Sequence, residues 1–342
     1  MPGKTRTVCV AHAQDVDGIS SASLVKLATG ADVFLANYDE LIEILRSLSS
    51  ETNLYVCDLG MNQSIIDDFL LETRRIVKGG GKVTYIDHHP LDGKTSKRIK
   101  AGGVHLVHSR EECAGVLTYQ HFRNELPRRA AFIACYAAVT DYLDNQPIAK
   151  QLIGSSDRQL ILLESTMLSY AMSHERNRVS FSNRIVNAFQ SLKFPHEIEG
   201  VPKLATRQAA RMKDMLDLVE KEGVQLKNFA YFKSEKVTLG LVANLLLGIF
   251  AVPVAFAYRE NSVSGMVEIS LRERYDSEFE LGEIVSKITK TLGGMGGGHT
   301  RASGARIPVE KMEKFLNLLG RELARDPKVK QKRRKALRRR AT

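Results

Sequence analysis

The first half of the chain alternates apolar, strand-like segments with helix-like segments, and this alternation limits the possible folds more than any other feature. The strand-like segments are residues 8–12, 33–36, 54–60, 82–87 and 104–108. Helical patterns at 19–27, 38–48 and 64–77 separate the first four. Strands that are apolar throughout and joined by helices predict a parallel sheet with helices on both faces, an α/β fold.

The rest of the chain predicts a second, smaller domain. Residues 113–189 have a helical pattern, and residues 191–203 combine two prolines, a glycine and mixed charge. Beyond them come helical patterns at 204–222, 282–292 and 309–324, with strand-like segments at 228–233 and 265–273. A chain of 342 residues with 43% apolar content can form two cores. We therefore predict a first domain at 1–190, a linker at 191–203, a mixed α/β domain at 204–326 and a basic tail at 327–342.

One apolar segment, residues 238–258, is long enough to cross a membrane. Gly248 and Pro253 divide it, which favours a buried helix followed by a strand. The N-terminus has too short an apolar run for a signal peptide, and the four cysteines lack the spacing of a metal or disulfide framework. We expect a cytoplasmic protein without a membrane partner.

The net charge of +11 is concentrated at the C-terminus. Residues 328–342 carry nine basic residues and no acid, so 41 basic and 39 acidic residues remain in the body. Such a segment suits the phosphate backbone of a nucleic acid or an acidic protein partner, and the alternative is a solvated tail without a partner.

Acids and histidines follow the strand-like segments of the first domain. Asp15 and Asp17 follow the first, Asp58 ends the third, and Asp87-His88-His89 ends the fourth, while Asp141 follows a helical segment. Alone, Asp15 or Asp58 could simply cap a helix. Together, at strand ends that converge on one edge of a parallel sheet, these residues predict a shared site.

Clustered carboxylates repel one another and need cations to be stable. Oxygen and imidazole donors without thiolate suit Mn²⁺ or Mg²⁺. Six to eight such donors are more than one octahedral ion needs. We therefore predict two ions that share a bridging ligand, the arrangement that activates water against a phosphoryl group.

These residues resemble the DHH phosphoesterase superfamily, whose tripeptide is matched by Asp87-His88-His89 and whose earlier Asp-x-Asp motif is matched by Asp15-Val16-Asp17. The resemblance implies the following metal ligands: Asp15, Asp17, Asp58, His88 and Asp141, with Asp87 bridging or supporting the ions. It implies catalytic roles for Asp87 and His89, with His89 beside the scissile phosphate. RecJ-like members usually carry an aspartate where this chain has Ala13. Small-substrate members carry a histidine four positions before the motif, and His12 lies three before Asp15, so His12 is a further candidate ligand.

A glycine-rich stretch, GGMGGGHTRASG at 293–304, could be a flexible linker. Its fixed histidine and arginine instead resemble the GGGH motif of DHHA1 domains, whose backbone N–H groups can cradle phosphate. The resemblance implies a substrate-binding set: Arg272, Gly296, Gly297, Gly298, His299, Arg301 and Ser303. It also implies an active site in a cleft between the two domains.

Among compact two-domain family members, archaeal RecJ-like nucleases, including the Hef-associated nuclease, resemble the chain in having the two domains and a short tail. The resemblance implies an exonuclease on single-stranded DNA or RNA, with 3′→5′ polarity favoured and a role in DNA repair or replication. The basic tail favours a polymeric substrate, or a repair or replication protein as partner. The alternatives are a nanoRNase or 3′-phosphoadenosine phosphatase, and an inactive DHH scaffold in a replication complex. Oligomerisation stays open.

Overall fold

In the computed structural model, residues 6–61, 64–174, 178–235, 238–298 and 301–324 are described. The chain forms two compact units that divide between Ala210 and Arg211. The predicted linker at 191–203 is folded into the first unit, since Ile198 and Val201 are buried in its core. The division falls instead within a long helix, residues Val201–Glu222. The predicted tail at 327–342 lies outside the described residues.

The first unit contains a parallel sheet followed by a helical half. The sheet half comprises β1 (Thr7–His12), α1 (Val16–Thr29), β2 (Asp32–Ala36), α2 (Leu41–Ser47), β3 (Asn53–Cys57), α3 (Ile66–Lys78), β4 (Val83–Asp87), α4 (Gly93–Ala101) and β5 (His105–His108). The helical half comprises α5 (Ala114–His121), α6 (Ala131–Thr140), α7 (Pro147–Gly154), α8 (Arg158–His174), α9 (Arg178–Gln190) and the start of α10 (Val201–Glu222). The strands lie in the order β2-β1-β3-β4-β5, and each neighbouring pair is parallel.

Each face of this sheet has its own hydrophobic core. Val8 and Val10 of β1 point to the face covered by α2, α3 and α4. Cys9 and Ala11 alternate with them and point to the face covered by α1, α5, α6, α8 and α9. Because side chains alternate along a strand, a strand that is buried on both faces must be apolar throughout. The predicted parallel sheet with helices on both faces is confirmed.

Helix α4 was not predicted from the sequence, although parallel strands require a crossover between β4 and β5. Its sequence, GKTSKRIKA, is rich in lysine and buries only Thr95 and Ile99. Two buried positions four residues apart are too few to give a recognisable apolar periodicity.

The second unit contains a mixed sheet of six described strands. Its elements after α10 are β6 (Val224–Gln225), β7 (Phe229–Lys233), α11 (Leu239–Phe250), β8 (Val254–Asn261), β9 (Met266–Glu273), α12 (Leu281–Thr291), β10 (Met295–Gly298), β11 (Ala302–Pro308) and α13 (Met312–Leu323). The order is β10-β11-β9-β8-β7-β6. Strands β7 and β8 pair in parallel, and the other described pairs are antiparallel. Helices α12 and α13 share one core with the sheet, and α11 shares another.

The apolar segment 238–258 forms α11 followed by β8, as its internal glycine and proline predicted. Among the described residues, no helix combines the length and the apolar character needed to cross a bilayer. Strands β10 and β11 were not predicted. Their glycines and short polar side chains lack strand character, and the pairing of β10 with β11 and of β11 with β9 supplies the order that local propensity does not.

Candidate active site

The predicted acids and histidines of the first unit, apart from Asp141 after α6, lie at or just beyond the carboxyl ends of three adjacent strands. His12 ends β1, Asp58 follows β3, and His88 and His89 follow β4, which ends at Asp87. Strand β2 lies on one side of β1, and β3 lies on the other side. The order in which strands are added to the sheet therefore reverses at β1. Ligand sites of open parallel sheets form at such a switch point.

Seven of the predicted residues form three overlapping trios. Within each trio, one donor atom of each residue lies within 4.8 Å of the others. The trios are His12, Asp15 and Asp58; Asp58, His88 and His89; and Asp17, His88 and Asp141. Asp58 belongs to two trios and His88 to two, so the three form one continuous cluster.

Asp15 both caps a helix and belongs to this cluster. Its Oδ1 accepts a hydrogen bond from the backbone N–H of Gly18 at 2.9 Å, in the first turn of α1. Its Oδ2 lies 2.8 Å from Nδ1 of His12. Asp15 therefore caps α1 and also lies in the cluster, while its predicted role as a metal ligand stays a prediction.

Asp17 links α1 to the start of α5. Its Oδ2 accepts the N–H of Ala114 at 2.9 Å, and its Oδ1 accepts the N–H of Gly115 at 2.7 Å. These are among the N–H groups at a helix N-terminus that have no partner within the helix. Burial raises the pKa of Asp17, and the Asp15 charge adds to the effect, although His88 and the two N–H groups oppose it.

Asp58 is a buried carboxylate with ring nitrogens of His12, His88 and His89 at 3.3–3.9 Å from its oxygens. Its side chain is 2% exposed, its φ of 56° lies in the left-handed region, and neither oxygen accepts a hydrogen bond from a described residue. Burial raises its pKa well above the ordinary value, and the charges of Asp17 and Asp15 raise it further. A buried carboxylate without donors is costly unless a cation approaches it.

His88 lies between three acids. Its Nε2 is 3.3 Å from Oδ1 of Asp58 and 3.6 Å from Oδ2 of Asp17, and its Nδ1 is 3.6 Å from Oδ2 of Asp141. Burial alone would lower the pKa of His88, but the surrounding carboxylates raise it. Asp141, which directly follows α6, has a pKa well above its ordinary value because of burial and the Asp17 charge.

His12 and Asp15 shift each other's pKa in opposite directions. Burial opposes the charged imidazole, yet the hydrogen bond and charge of Asp15 and the nearby Asp58 raise the pKa of His12 to about 10. Desolvation likewise opposes the charged Asp15 carboxylate, and His12 nevertheless lowers its pKa to about 2. His12 lies within reach of the site despite its one-residue offset from the family pattern.

Asp87 does not belong to the trios and is occupied by other bonds. Its Oδ2 accepts the Tyr85 hydroxyl at 2.8 Å, and its Oδ1 lies 2.9 Å from Nδ1 of His89. Burial opposes its charge, but these two bonds lower the pKa of Asp87. Asp87 thus orients His89, while its predicted role as a bridging or supporting metal ligand stays a prediction.

Three residues beside the DHH tripeptide were not identified from the sequence. The Tyr38 hydroxyl lies 3.4 Å from Nε2 of His89. The Tyr85 hydroxyl bridges Asp87 and the carbonyl of Leu59, and Nε2 of His108 lies 2.8 Å from the carbonyl oxygen of His89. Position at a strand end was a usable signal for His108, which ends β5 opposite Asp87 in the sheet register. Tyr38 and Tyr85 belong to no recognisable motif.

The donors present fit hard divalent cations. The trios contain carboxylate oxygens and imidazole nitrogens and no cysteine sulfur, and this donor set suits Mn²⁺ or Mg²⁺. The two unbonded oxygens of Asp58, at the junction of two trios, are the observation that most directly favours a cation there.

In the second unit, the glycine-rich motif forms an antiparallel hairpin. Gly298 of β10 pairs with Ser303 of β11, and Ala302 pairs with Arg272 of β9. Gly298 has a φ of 143°, and a Cβ there would lie 2.5 Å from the carbonyl oxygen of Ala302, so only glycine fits. The described part of the motif is an ordered strand pair and not a flexible linker.

Most of the other predicted substrate-binding residues lie on these strands or on the adjoining β9. Gly296 and Gly297 also belong to β10, and Ser303 is buried. Arg272 donates hydrogen bonds to the Ser270 hydroxyl and the Leu271 carbonyl. Arg301 is exposed, and His299 lies outside the described residues. Substrate binding by this set stays a prediction.

Residues 226–325 match the DHHA1 domain family. A stretch of 105 residues is 29% identical to an uncharacterized protein of Methanocaldococcus jannaschii. That match spans 30% of this chain and only 24% of the relative, about a quarter of its length.

Several solved structures have a similar fold over 94% of this chain. The DHH domain of a protein from a family of ribosomal proteins has a TM-score of 0.68 at 16% identity, over 87% of its own chain. RecJ from Thermus thermophilus, in complex with Mn²⁺, has a TM-score of 0.63 at 16% identity, over 52% of its chain. The pGpG-specific phosphodiesterase PggH from Vibrio cholerae has a TM-score of 0.58 at 12% identity, over its whole chain. The predicted resemblance, a DHH fold followed by a DHHA1 domain, is confirmed.

Proposed function

We propose that this chain, which joins a domain with the DHH fold to a DHHA1 domain, is a phosphoesterase that depends on divalent metal ions. The observation that carries the proposal is the cluster at the switch point of the first sheet, centred on the buried and unbonded Asp58 carboxylate. Neighbours with the same fold include RecJ bound to Mn²⁺ and a pGpG-specific phosphodiesterase, which supports phosphate ester hydrolysis.

The trios would hold two Mn²⁺ or Mg²⁺ ions, which when bound activate water and offset negative charge on the phosphoryl group. The residues of the chain supply the rest. Asp87 fixes the ring of His89 through Nδ1 and leaves Nε2 to face Tyr38 and the substrate. Burial opposes a charged His89, but the Asp87 bond and charge raise its pKa, so a cationic His89 can balance charge on the scissile phosphate.

For the substrate, we favour a single-stranded nucleic acid, cut from one end as RecJ-like exonucleases do and with 3′→5′ polarity. The basic segment at 328–342 supports a polymer, because a polymer repeats its negative charge and a small nucleotide does not. A role in DNA repair or replication is part of the same proposal.

The test is hydrolysis by the purified full chain of single-stranded DNA and RNA, labelled at the 5′ end in one set and at the 3′ end in another. We expect activity with Mn²⁺ or Mg²⁺ and none with EDTA. With 3′→5′ removal, a 5′-labelled strand shortens stepwise, while a 3′-labelled strand releases labelled mononucleotide at once. Wild-type protein that hydrolyses no phosphate ester with either ion would contradict the proposal and favour an inactive scaffold.

The second candidate is hydrolysis of short nucleotides, by a nanoRNase or 3′-phosphoadenosine phosphatase activity. Similarity to PggH along that protein's entire chain favours it, since PggH acts on a dinucleotide. The same assay with a dinucleotide and with 3′-phosphoadenosine phosphate separates the candidates. Rapid loss of the dinucleotide beside an untouched oligonucleotide would replace the exonuclease proposal with this one.

The basic segment gives a further test of a polymeric substrate. Deletion of residues 328–342 should weaken binding of a long strand and flatten the dependence of its affinity on salt, because fewer counterions are released. Turnover of a dinucleotide should not change. Unchanged affinity for the long strand would indicate instead that the segment binds an acidic protein partner.

A further inference from the structure

Tyr275 and Arg301 form a cation–π pair at one end of the second sheet. The guanidinium carbon of Arg301 lies 4.2 Å from the centre of the Tyr275 ring. Both side chains reach solvent, and Tyr275 is 61% exposed. Within the described part of the chain, no carboxylate lies within ion-pair distance of Arg301, although its charge acts on the buried Glu273 carboxylate.

The backbone holds this pair in place from the Arg301 side. The N–H of Glu273 donates to the carbonyl of Arg301 at 2.9 Å, which continues the pairing of β9 with β11 by one residue. The backbone of Arg301, directly before β11, is therefore held in a fixed position beside Glu273.

The Tyr275 side is held equally well. Arg274 forms a two-bond ion pair with Asp276 and donates to the carbonyl of Ala251 at 3.0 Å. The buried Glu273 accepts the Ser277 hydroxyl at 2.8 Å and the N–H of Phe279 at 2.6 Å. The residues on both sides of Tyr275 are thus bonded to the end of β9 and to the segment between α11 and β8.

This pair combines three properties: a flat π surface, a planar cation over it, and access from solvent. Packing does not explain it, because an exposed tyrosine ring buries little apolar area. Unpaired nucleobases stack on such aromatic and guanidinium faces, whatever the base, because every base has a π face. The pair also adjoins the hairpin of β10 and β11, where Gly298 pairs with Ser303.

We propose that Tyr275 and Arg301 are a stacking site for one unpaired nucleobase of the substrate. The inference rests on the proposed function, because it assumes a substrate that carries bases. The site accepts any base, and it discriminates a base-bearing strand from a phosphate backbone alone.

The test compares two single strands of equal length and equal phosphate count, one normal and one in which every nucleotide lacks its base. Binding of each fluorescently labelled strand to the full chain is measured by anisotropy in EDTA, so that no hydrolysis occurs. Tyr275→Ala should weaken binding of the normal strand by about 5- to 100-fold, the range for loss of one stacked base. Binding of the base-free strand should not change.

Two variants serve as controls. Tyr275→Phe keeps the ring and should bind both strands like wild type. Arg301→Lys keeps the charge but loses the plane, and it should weaken only the normal strand. The inference would be overturned if Tyr275→Ala weakened binding of both strands by the same factor. It would also be overturned if the variant bound the normal strand with wild-type affinity. Because the assay measures binding alone, a protein without hydrolytic activity would refute the proposed function while leaving this result interpretable.

Discussion

At the scale of single residues, the carboxylates of the cluster are buried close together and repel one another, and a bound cation would offset this repulsion. Asp58 is buried, carries no hydrogen bond from a described residue and lies beside two further acids of raised pKa. Sites of this kind often trade stability for function. The trade can be measured at Asp58 because asparagine is nearly isosteric and tolerates a positive φ.

Asp58→Asn should stabilise the metal-free protein and abolish its response to metal. Burial forces the folded state either to bury the Asp58 charge or to take up a proton there, and asparagine removes this cost. The thermal midpoint in EDTA should therefore rise, by about 2–4 °C for each kcal/mol gained. Addition of Mn²⁺ should then stabilise wild type but not the variant, and phosphodiester hydrolysis should fall by at least about 100-fold. A variant that melts below wild type in EDTA, or that still gains stability with Mn²⁺, would contradict this assignment.

Tyr38→Phe should slow hydrolysis without loss of metal binding. With Nδ1 of the cationic His89 ring bonded to Asp87, its Nε2 N–H can donate to the Tyr38 oxygen, and loss of one such bond costs about 0.5–1.5 kcal/mol, or about 2- to 10-fold in kcat. Tyr55→Phe on β3 is the matched control, because the Tyr55 ring packs on Phe122 in the core. Equal kcat in both variants would leave Tyr38 without a role in positioning His89.

The sequence predicted the members of the site better than its internal bonds. The acids and histidines that follow β1, β3 and β4 were recognisable because polar residues directly after apolar runs are unusual, whereas His108 at the end of β5 was missed. The partners of Asp87 and His89 were not, because Tyr38 and Tyr85 have the composition of ordinary strand and loop residues. Their role depends on which strands become neighbours, and that is decided by the whole sheet.

At the scale of elements, apolar runs predicted β1, β3 and β4 well, whereas the elements that depend on neighbours were missed. Helix α4 covers the sheet with only Thr95 and Ile99 buried. Strand β10 contains three glycines and is ordered by pairing with β11. In both cases the decisive interactions are long-range, and a local window of sequence does not contain them.

Helix α11 offers a matched pair of glycines that tests the role of Arg272. A Cβ at Gly240 would lie 2.4 Å from Nη2 of Arg272, whereas a Cβ at Gly248 would meet nothing within 4 Å. Gly240→Ala should therefore displace the guanidinium and raise KM for the substrate by about tenfold, the effect of about 1.4 kcal/mol. Gly248→Ala should keep the wild-type KM and stabilise the helix by up to about 1 kcal/mol.

A double-mutant cycle identifies the cause. In an Arg272→Ala background, Gly240→Ala should have no further effect on KM, because the side chain that it displaces is gone. An equal rise in KM in both backgrounds would mean that Gly240 matters for the helix alone.

At the scale of the whole molecule, the cluster should make the stability of the metal-free protein depend on pH. The folded state holds protons on Asp17, Asp58 and Asp141 that the unfolded chain releases above its ordinary pKa of about 4. His12, with its pKa raised to about 10, acts in the same direction. Because the folded state binds more protons than the unfolded state, stability falls as pH rises.

The thermal midpoint in EDTA should therefore decrease from about pH 5 to about pH 9. Metal binding needs deprotonated ligands, so the rise in midpoint with saturating Mn²⁺ should grow over the same interval. The lowered pKa of Asp15 and Asp87 acts only below about pH 4 and does not change this sign. A Mn²⁺-induced rise that is independent of pH would refute the link between the cluster and the metal.

The bonds of Asp17 to the first turn of α5 have a consequence for observation of the site. Protonation of Asp17 weakens its acceptance of the Ala114 and Gly115 N–H groups, and occupancy by a cation keeps the carboxylate ionised and the bonds strong. Those two amides should exchange with deuterium more slowly when metal is present, while the amides of α13 in the other unit keep their rates. Amide exchange measured by nuclear magnetic resonance could thus report metal occupancy of the cluster from the backbone of α5, in the absence of substrate.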